Sequence, residues 1–87
     1  MFTKAFAEEL APYKICVNAI APGYFDTGPA QDRFRDPKIL DTIFSFTPLK
    51  KIGEAVDIIG PVVFLASEAS GFMTGQTIFV DGGRSIL

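Results

Sequence analysis

The residues with the clearest potential for chemistry lie where an apolar strand gives way to a turn. Val17 to Ala30 reads VNAIAPGYFDTGPA, an apolar run followed at once by Pro22, Gly23 and two aromatic side chains. In open parallel sheets, ligands bind at the carboxyl ends of the strands. Because glycine has no Cβ and proline holds its φ fixed, such a turn can bring backbone groups close to a flat ligand. The segment therefore predicts a ligand-binding turn.

Composition excludes several other kinds of chemistry. The 87 residues contain no histidine, which excludes a Ser-His-Asp triad, histidine acid–base catalysis and histidine metal ligands within this chain. Cys16 is the single cysteine, and its place in an apolar run predicts a small core residue in a reducing, cytoplasmic setting. A net charge of -2 offers no basic field for nucleic acid, and no apolar run approaches the roughly 20 residues of a membrane span.

Helix and strand patterns surround the turn on both sides. A helix with one apolar stripe is predicted from Met1 to Ala11. The nearly continuous apolar run from Ile15 to Ile20 predicts a strand covered on both faces, and Ala21 to Arg35 is expected to be loop. Asp36-Pro37 is an N-cap followed by proline at the first helical position, so a helix is expected to begin there and to end at Pro48.

The second half of the chain contains a long helix and another strand. A helix is predicted from Glu54 to Ser67, which is apolar from Ile58 to Ala66 on nearly every side. A second strand is predicted from Thr77 to Val80, and Asp81-Gly82-Gly83 closes it as a structural turn. Strand, crossover and strand form a βαβ unit, so the two strands are expected to be parallel. Since their outer edges would be bare, residues 1–87 are expected to form a single partial domain of a larger α/β fold.

Four short motifs, in this order and at this spacing, carry a family resemblance. They are N-A-x-x-P-G-x-x-x-T from Asn18 to Thr27, Leu65-Ala66-Ser67, Thr74-Gly75-Gln76 and Asp81-Gly82-Gly83. Together they resemble the last third of a short-chain dehydrogenase/reductase over essentially the whole chain. Within the family, the sequence is most similar to those of gluconate and deoxygluconate dehydrogenases and of 3-oxoacyl-carrier-protein reductases. The resemblance implies the C-terminal part of a Rossmann-like doubly wound parallel sheet.

The resemblance also implies a nicotinamide cofactor, NAD or NADP, at the proline-glycine turn. Pro22 and Gly23 would line one face of the nicotinamide ring, and the backbone at Phe25 would hydrogen-bond the carboxamide. Thr27 would contact the carboxamide or a nearby phosphate, with a local loop cap as the alternative. The family more often has an aliphatic residue where Phe25 stands, a change that a backbone contact tolerates.

Residues 29–48 correspond to the mobile substrate lid of such enzymes. The lid residues expected to contact a small alcohol or ketone substrate are Phe34, Ile39, Ile43 and Phe44. Lys50 and Lys51 follow the lid and are interpreted as a solvated pair rather than an anion site. Subunits of the family pair through elements that correspond to Glu54 to Ser67 and Thr77 to Val80, so a homo-oligomer is implied.

The catalytic residues of the family do not occur in this sequence. The family uses a tyrosine acid/base with a lysine four residues later, and a serine that polarises the carbonyl. Tyr13 is followed four residues later by Val17 and Tyr24 by Gly28, and the glycine-rich turn that receives the pyrophosphate is also missing. The chain is therefore expected to be a carboxyl-terminal piece of an oxidoreductase, inactive by itself, with the missing parts encoded before Met1. The alternatives are a non-catalytic interaction module and a truncated product that docks on subunits of such enzymes.

Overall fold

Two short parallel strands organise the chain. The computed structural model describes residues 2–26 and 34–87. Strands β1 (Ala19–Pro22) and β2 (Thr77–Val80) pair in parallel, with Ala19 opposite Thr77 and Pro22 opposite Val80. The parallel arrangement expected from the order of the elements is therefore confirmed.

The predicted start of β1 was wrong, because side-chain hydrogen bonds interrupt the regular backbone ladder ahead of it, where the Gly75 N–H still donates to the Val17 carbonyl oxygen at 2.7 Å. The Asn18 side chain donates from Nδ2 to the Met73 carbonyl oxygen at 3.1 Å and accepts from the Gln76 N–H at 3.1 Å. The Val17 N–H donates to Thr74 Oγ1 at 3.0 Å. Regular pairing consequently begins at Ala19 and continues to Pro22, rather than running from Ile15 to Ile20.

Cys16 is exposed, so its interpretation as a core residue was also wrong. Its thiol donates to the Gly71 carbonyl oxygen at 3.8 Å, on the segment that leads into β2. The neighbouring Ile15 is exposed as well. An apolar run predicts burial only where another element covers it, and none of the described residues covers this side of the segment.

Helix α1 (Phe2–Leu10) packs through a small residue rather than through its aromatic stripe. Ala7 is 3% exposed, and a Cβ placed on Gly75 would stand 3.5 Å from its methyl group. Phe2 and Phe6 are exposed, and their rings stack on each other with centroids 6.2 Å apart. A single 3-10 turn, Ala11–Tyr13, then ends the helix, and Lys14 closes it with a left-handed φ of 60°.

The other two helices begin as the sequence predicts. In α2 (Pro37–Ser45), Oδ1 of Asp36 accepts a hydrogen bond from the Lys38 N–H at 2.9 Å, which is an N-cap contact. Helix α3 (Ala55–Ala66) runs without a break through Pro61 and packs against both strands. Its first turn is tied by the Glu54 N–H, which donates to Asp57 Oδ2 at 2.8 Å.

Most apolar side chains of the described residues remain open to solvent. Ala7 and Ile43 are the apolar side chains that the structure buries. The accessible surface is 6579 Å², against about 5,000 Å² for a compact chain of this mass. The radius of gyration is 15.7 Å, against about 12 Å for a compact domain of this length. The elements therefore present apolar faces that contacts within this structure do not cover.

None of the helices in the described ranges has both the length and the apolar content that a membrane crossing requires.

Candidate functional site

The carboxyl ends of β1 and β2 meet and form the base of the candidate site. The Gly23 N–H donates to the Val80 carbonyl oxygen at 3.0 Å, one residue beyond β1. A Cβ at Gly23 would stand 2.8 Å from Cα of Asp81. Glycine at this position is therefore required by the close approach of the neighbouring strand. The prediction from the sequence was different, namely that this glycine allows a flat ligand to approach the backbone.

Beyond this turn, the chain is held by a second backbone pairing at Gly53. The Gly53 N–H donates to the Tyr24 carbonyl oxygen at 2.8 Å, and the Asp26 N–H donates to the Gly53 carbonyl oxygen at 2.8 Å. Phe25 forms a parallel bridge with Gly53. In a parallel bridge of this pattern, the middle residue directs its own N–H and C=O toward the opposite edge. The Phe25 backbone therefore faces away from Gly53.

The Phe25 side chain packs flat on Gly53. A Cβ at Gly53 would stand 2.7 Å from Cε2 and 2.8 Å from Cζ of the phenyl ring. Phe25 is half-buried as a result. The absence of a side chain at Gly53 thus makes room for a residue larger than the aliphatic one expected from the family resemblance.

The Asp81-Gly82-Gly83 turn packs against the segment that follows α2. Gly82 and Gly83 have left-handed φ values of 62° and 96°, which glycine adopts without strain. A Cβ at Gly82 would stand 2.7 Å from Cγ2 of Thr47, and one at Gly83 would stand 3.0 Å from Cγ of Pro48. The Gly82 carbonyl oxygen also accepts from the Leu49 N–H at 2.9 Å. The turn is structural, as the sequence predicts, and it packs against residues 47–49.

Asp81 holds this turn closed through its carboxylate. Oδ1 accepts from the Gly83 N–H at 3.0 Å, and Oδ2 accepts from the Ser85 N–H at 2.9 Å. Partial desolvation acts to raise the pKa of Asp81, but hydrogen bonds from Ser85 and from the Gly83 backbone act against it and together lower the pKa below its ordinary value. The ionised form of Asp81 is therefore the one that the turn stabilises.

Tyr24 links the turn to the C-terminal segment and was not singled out from the sequence. The Arg84 guanidinium carbon lies 5.5 Å from the centroid of its ring, within the range of a cation–π contact. Tyr24 lines a cavity of ≈ 190 Å³ between the turn and the end of β2, and also the cleft beside the lid helix. The signal in the sequence that could have identified Tyr24 is the pair of aromatic residues after Pro22-Gly23. Nothing in the sequence indicates Arg84.

The predicted lid residues come together in part. Phe34, Ile39 and Ile43 line one cleft with Tyr24, and Ile43 is 5% exposed. Phe44 is half-buried and does not line that cleft. Residues 27–33, which include the first part of the predicted lid, lie outside the described residues.

The predicted cofactor residues lie around the end of β1. Pro22 is exposed and lines an apolar cleft with Phe25 between β1 and α3. Pro22 and Gly23 line a second cleft, toward Arg84. Thr27 lies outside the described residues.

The two lysines after the lid have local partners. Lys50 donates from Nζ to the Phe44 carbonyl oxygen at 2.9 Å, and Nζ of Lys51 lies 3.5 Å from Oδ2 of Asp57. The backbone hydrogen bond from Glu54 and the nearby Lys51 charge hold the pKa of Asp57 below its ordinary value. Across residues 2–26 and 34–87, the side chains that commonly bind metals form no cluster of three.

Comparison with known proteins agrees with this geometry. The family model described as enoyl-(acyl carrier protein) reductase matches residues 1–85. The 2-dehydro-3-deoxy-D-gluconate 5-dehydrogenase of Escherichia coli K12 is 47% identical over 85 residues, covering 93% of this chain and 32% of its own length.

Two solved structures extend the agreement to three dimensions. Gluconate 5-dehydrogenase from Burkholderia cenocepacia, in complex with NADP and tartrate, superposes with a TM-score of 0.91 at 39% identity, covering 100% of this chain and 34% of that one. A 4-hydroxyisoleucine dehydrogenase complexed with NADH gives a TM-score of 0.94 at 30% identity, covering 99% and 35%. The chain thus spans about a third of the length of these relatives. On the family match and the shared fold, the chain belongs to the short-chain dehydrogenase/reductase family.

Proposed function

We propose that this chain forms the nicotinamide turn, the substrate lid and the subunit contact of an NAD(P)-dependent oxidoreductase. The enzyme interconverts an alcohol and a ketone, and the dinucleotide supplies or accepts the hydride. The chain's own part is to position the nicotinamide and the substrate, since none of its residues is proposed as the proton donor. The relatives solved with NADP and with NADH support a dinucleotide of either kind.

The observation that carries the proposal is the direction of the Phe25 backbone. Both hydrogen bonds of the bridge are made by the flanking residues and Gly53, so the Phe25 N–H and C=O face the open edge of the turn. Within the described ranges neither group makes a hydrogen bond. A carboxamide offers the matching acceptor and donors, and the pairing at Gly53 holds the Phe25 groups rigid before any ligand arrives.

The remaining cofactor contacts are assigned around this one. Pro22 is exposed at the end of β1, and its ring offers a rigid apolar surface to the nicotinamide. Because Gly23 has no side chain, the turn passes close to Asp81, and this close approach fixes the position of the Pro22 ring. Thr27 is proposed to contact the carboxamide or a phosphate.

The substrate is proposed to lie between the turn and the lid helix α2. Phe34, Ile39 and Ile43 supply apolar contacts in the cleft that Tyr24 completes. Phe44 was predicted to contact the substrate as well, but it lies outside that cleft. The relatives named for gluconates favour a hydroxylated acid as the substrate.

The exposed apolar face of α3 and strand β2 support a homo-oligomer. Val56, Ile59 and Val63 on α3 are 67%, 54% and 60% exposed, and Phe79 on β2 is 58% exposed. An exposed apolar face on a helix and its neighbouring strand is typical of a contact between subunits.

A chimera tests the catalytic proposal. The matching 85 residues of the Escherichia coli 2-dehydro-3-deoxy-D-gluconate 5-dehydrogenase are replaced by this chain, and the turnover of NADH and NADPH is measured. We expect the chimera to be active. Phe25→Pro, which removes the N–H, is expected to raise KM for the dinucleotide about tenfold, consistent with the loss of one well-placed hydrogen bond.

Phe25→Leu is the matched control, because it alters the ring and keeps the N–H. We expect its KM to stay within about threefold of the parent value. A folded Phe25→Pro chimera with an unchanged KM would show that the Phe25 N–H does not donate to the carboxamide. A folded chimera that binds dinucleotide and turns over no hydroxylated acid would contradict the proposed activity.

The second candidate function is a non-catalytic interaction module. The exposed apolar surface of α3 and β2 favours it, because such a surface fits a subunit of the same family. Co-purification of the chain with the complete E. coli enzyme, without any gain in turnover, would support the module over the catalytic role.

A further inference from the structure

The cleft beside the lid helix contains one ionisable amine among apolar walls. Helix α2 contributes residues spaced i, i+1, i+4 and i+5, which is one helical face, and the turn after β1 closes the opposite side. The lining residues within the described ranges are Tyr24, Phe34, Lys38, Ile39, Thr42 and Ile43. The cleft thus combines one positive charge, two hydroxyl groups and three apolar side chains.

Lys38 differs from the other lysines near the lid in having no partner for its charge. Lys50 donates to the Phe44 carbonyl oxygen and Lys51 pairs with Asp57, whereas Nζ of Lys38 contacts no acceptor in residues 2–26 and 34–87. The nearest acidic neighbour in sequence, Asp36, uses Oδ1 to cap the helix at the Lys38 N–H. The ammonium group is therefore available to an anion that enters the cleft.

The surroundings of Lys38 suit a hydroxylated anion. Phe34, Ile39 and Ile43 form an apolar side of the cleft, and Lys38 is exposed, so its ammonium group can be reached by an anion that enters from solvent. Thr42 donates from Oγ1 to the Lys38 carbonyl oxygen at 3.0 Å, which leaves the lone pairs of Oγ1 free to accept from a ligand hydroxyl. Tyr24 adds a phenol on the other wall, and its ring is held by Arg84.

From this arrangement we propose that Lys38 binds the carboxylate of a hydroxylated organic acid in the lid cleft, with Tyr24 and Thr42 recognising its hydroxyl groups. The inference rests on the proposed function and adds the residue that selects an acid over the matching neutral polyol. A charge-assisted hydrogen bond of this kind is stronger than one between neutral groups, so the selection depends on the ammonium group.

The test compares gluconate with sorbitol, which has a CH₂OH group in place of the carboxylate. Binding to the chimera is followed by the ligand-induced shift of its melting temperature with NADP⁺ present, so that it does not depend on turnover. We expect Lys38→Met to weaken gluconate binding about three- to fivefold, as for an ion pair at an exposed lysine, and to leave sorbitol binding unchanged. Lys38→Arg is expected to restore most of the gluconate affinity, and Lys4→Met, on α1, to change neither ligand.

The outcomes separate this inference from the proposed activity. An unchanged gluconate affinity in Lys38→Met, or no gluconate-induced shift in the parent, overturns the inference. If binding depends on Lys38 while NADP⁺ is never reduced, the inference holds and the proposed activity fails. If the enzyme oxidises gluconate and Lys38→Met leaves its KM within twofold, the activity holds and the inference fails.

Discussion

The Leu49 N–H donates to the Gly82 carbonyl oxygen at 2.9 Å, which joins the segment after α2 to the turn after β2. Beside this bond, Thr47 is 4% exposed and donates from Oγ1 to the Ile43 carbonyl oxygen at 2.8 Å. Helix α2 is therefore anchored at its carboxyl end to the same turn that closes the base of the candidate site. Changes in the turn should consequently affect the position of α2.

The first prediction concerns the space that Gly82 leaves for Thr47. Gly82→Ala places a methyl group 2.7 Å from Cγ2 of Thr47 at a φ of 62°. The left-handed backbone costs roughly 1–2 kcal/mol for a non-glycine residue, and overpacking adds about 1–3 kcal/mol. Gly75→Ala is the matched control, because its φ is 75° but its methyl group would meet Ala7 at 3.5 Å. Thermal unfolding of the chimera gives the loss of stability in each variant, and we expect the larger loss in Gly82→Ala. Equal losses of stability in the two variants would contradict a clash with Thr47.

The second prediction is a pH dependence at Asp81. Its folded-state pKa is lowered from 3.8, so the stabilisation by its carboxylate is present above that value and is lost as the pH falls through the lowered one. Asp81→Asn is expected to lower the Tm of the chimera at pH 7 by about a few degrees. The difference from the parent should shrink as the pH falls below 3.8, and since both proteins contain Asp57, its titration cancels.

Asp41→Asn serves as the comparison for Asp81→Asn. It removes one negative charge from α2, at an exposed carboxylate with no hydrogen bond among the described residues. An equal loss of Tm in both variants would assign the effect to net charge rather than to the Asp81 turn.

The third prediction tests the contact between Arg84 and Tyr24. A double-mutant cycle of Arg84→Ala and Tyr24→Leu in the chimera should give a coupling of about 0.5–1 kcal/mol, as expected for an exposed cation–π pair. With Tyr24→Phe in place of Tyr24→Leu, the coupling to Arg84→Ala should be small, because the aromatic ring is retained. A coupling near zero with Tyr24→Leu would show that the two side chains do not interact.

The fourth prediction concerns the fit of Phe25 on Gly53. Gly53→Ala places a methyl group 2.7 Å from the phenyl ring and should destabilise the chimera by about 1–3 kcal/mol. In a Phe25→Leu background the same change should cost less than half as much, because the smaller side chain leaves room. Urea unfolding of the four proteins gives the coupling directly. Additive losses would mean that the methyl group displaces the backbone instead of the ring.

The sequence predicts local structure well where the signal itself is local. Asp36 caps α2 as predicted, and Thr77–Val80 is a strand with the predicted bounds. Failures occur where a partner distant in sequence decides the outcome. Asn18 replaces the backbone ladder through contacts with Met73 and Gln76, which moves the start of β1.

The same limit applies to the candidate site. The sequence identifies Pro22-Gly23 as a turn of interest, but the reason for Gly23 lies in the approach of Asp81, 58 positions later in the numbering. Tyr24 is important because it contacts Arg84 and lines the cleft beside α2, and neither Arg84 nor α2 is adjacent to it in sequence. Periodicity and capping rules contain no information about such contacts.

The pairing of Asn18 with Gln76 closes a loop between residues 58 positions apart, and the whole lid lies inside that loop. The entropic cost of closing a flexible loop, expressed as a free energy, rises by only about 0.6 kcal/mol for each doubling of the loop length. A change of length in the part of this loop that makes no contact with the strands or the Asp81-Gly82-Gly83 turn should therefore cost the strand pairing little stability. The pairing at Asn18 and the contacts at Gly82 would tolerate such a change for the same reason, because neither depends on how many residues separate them.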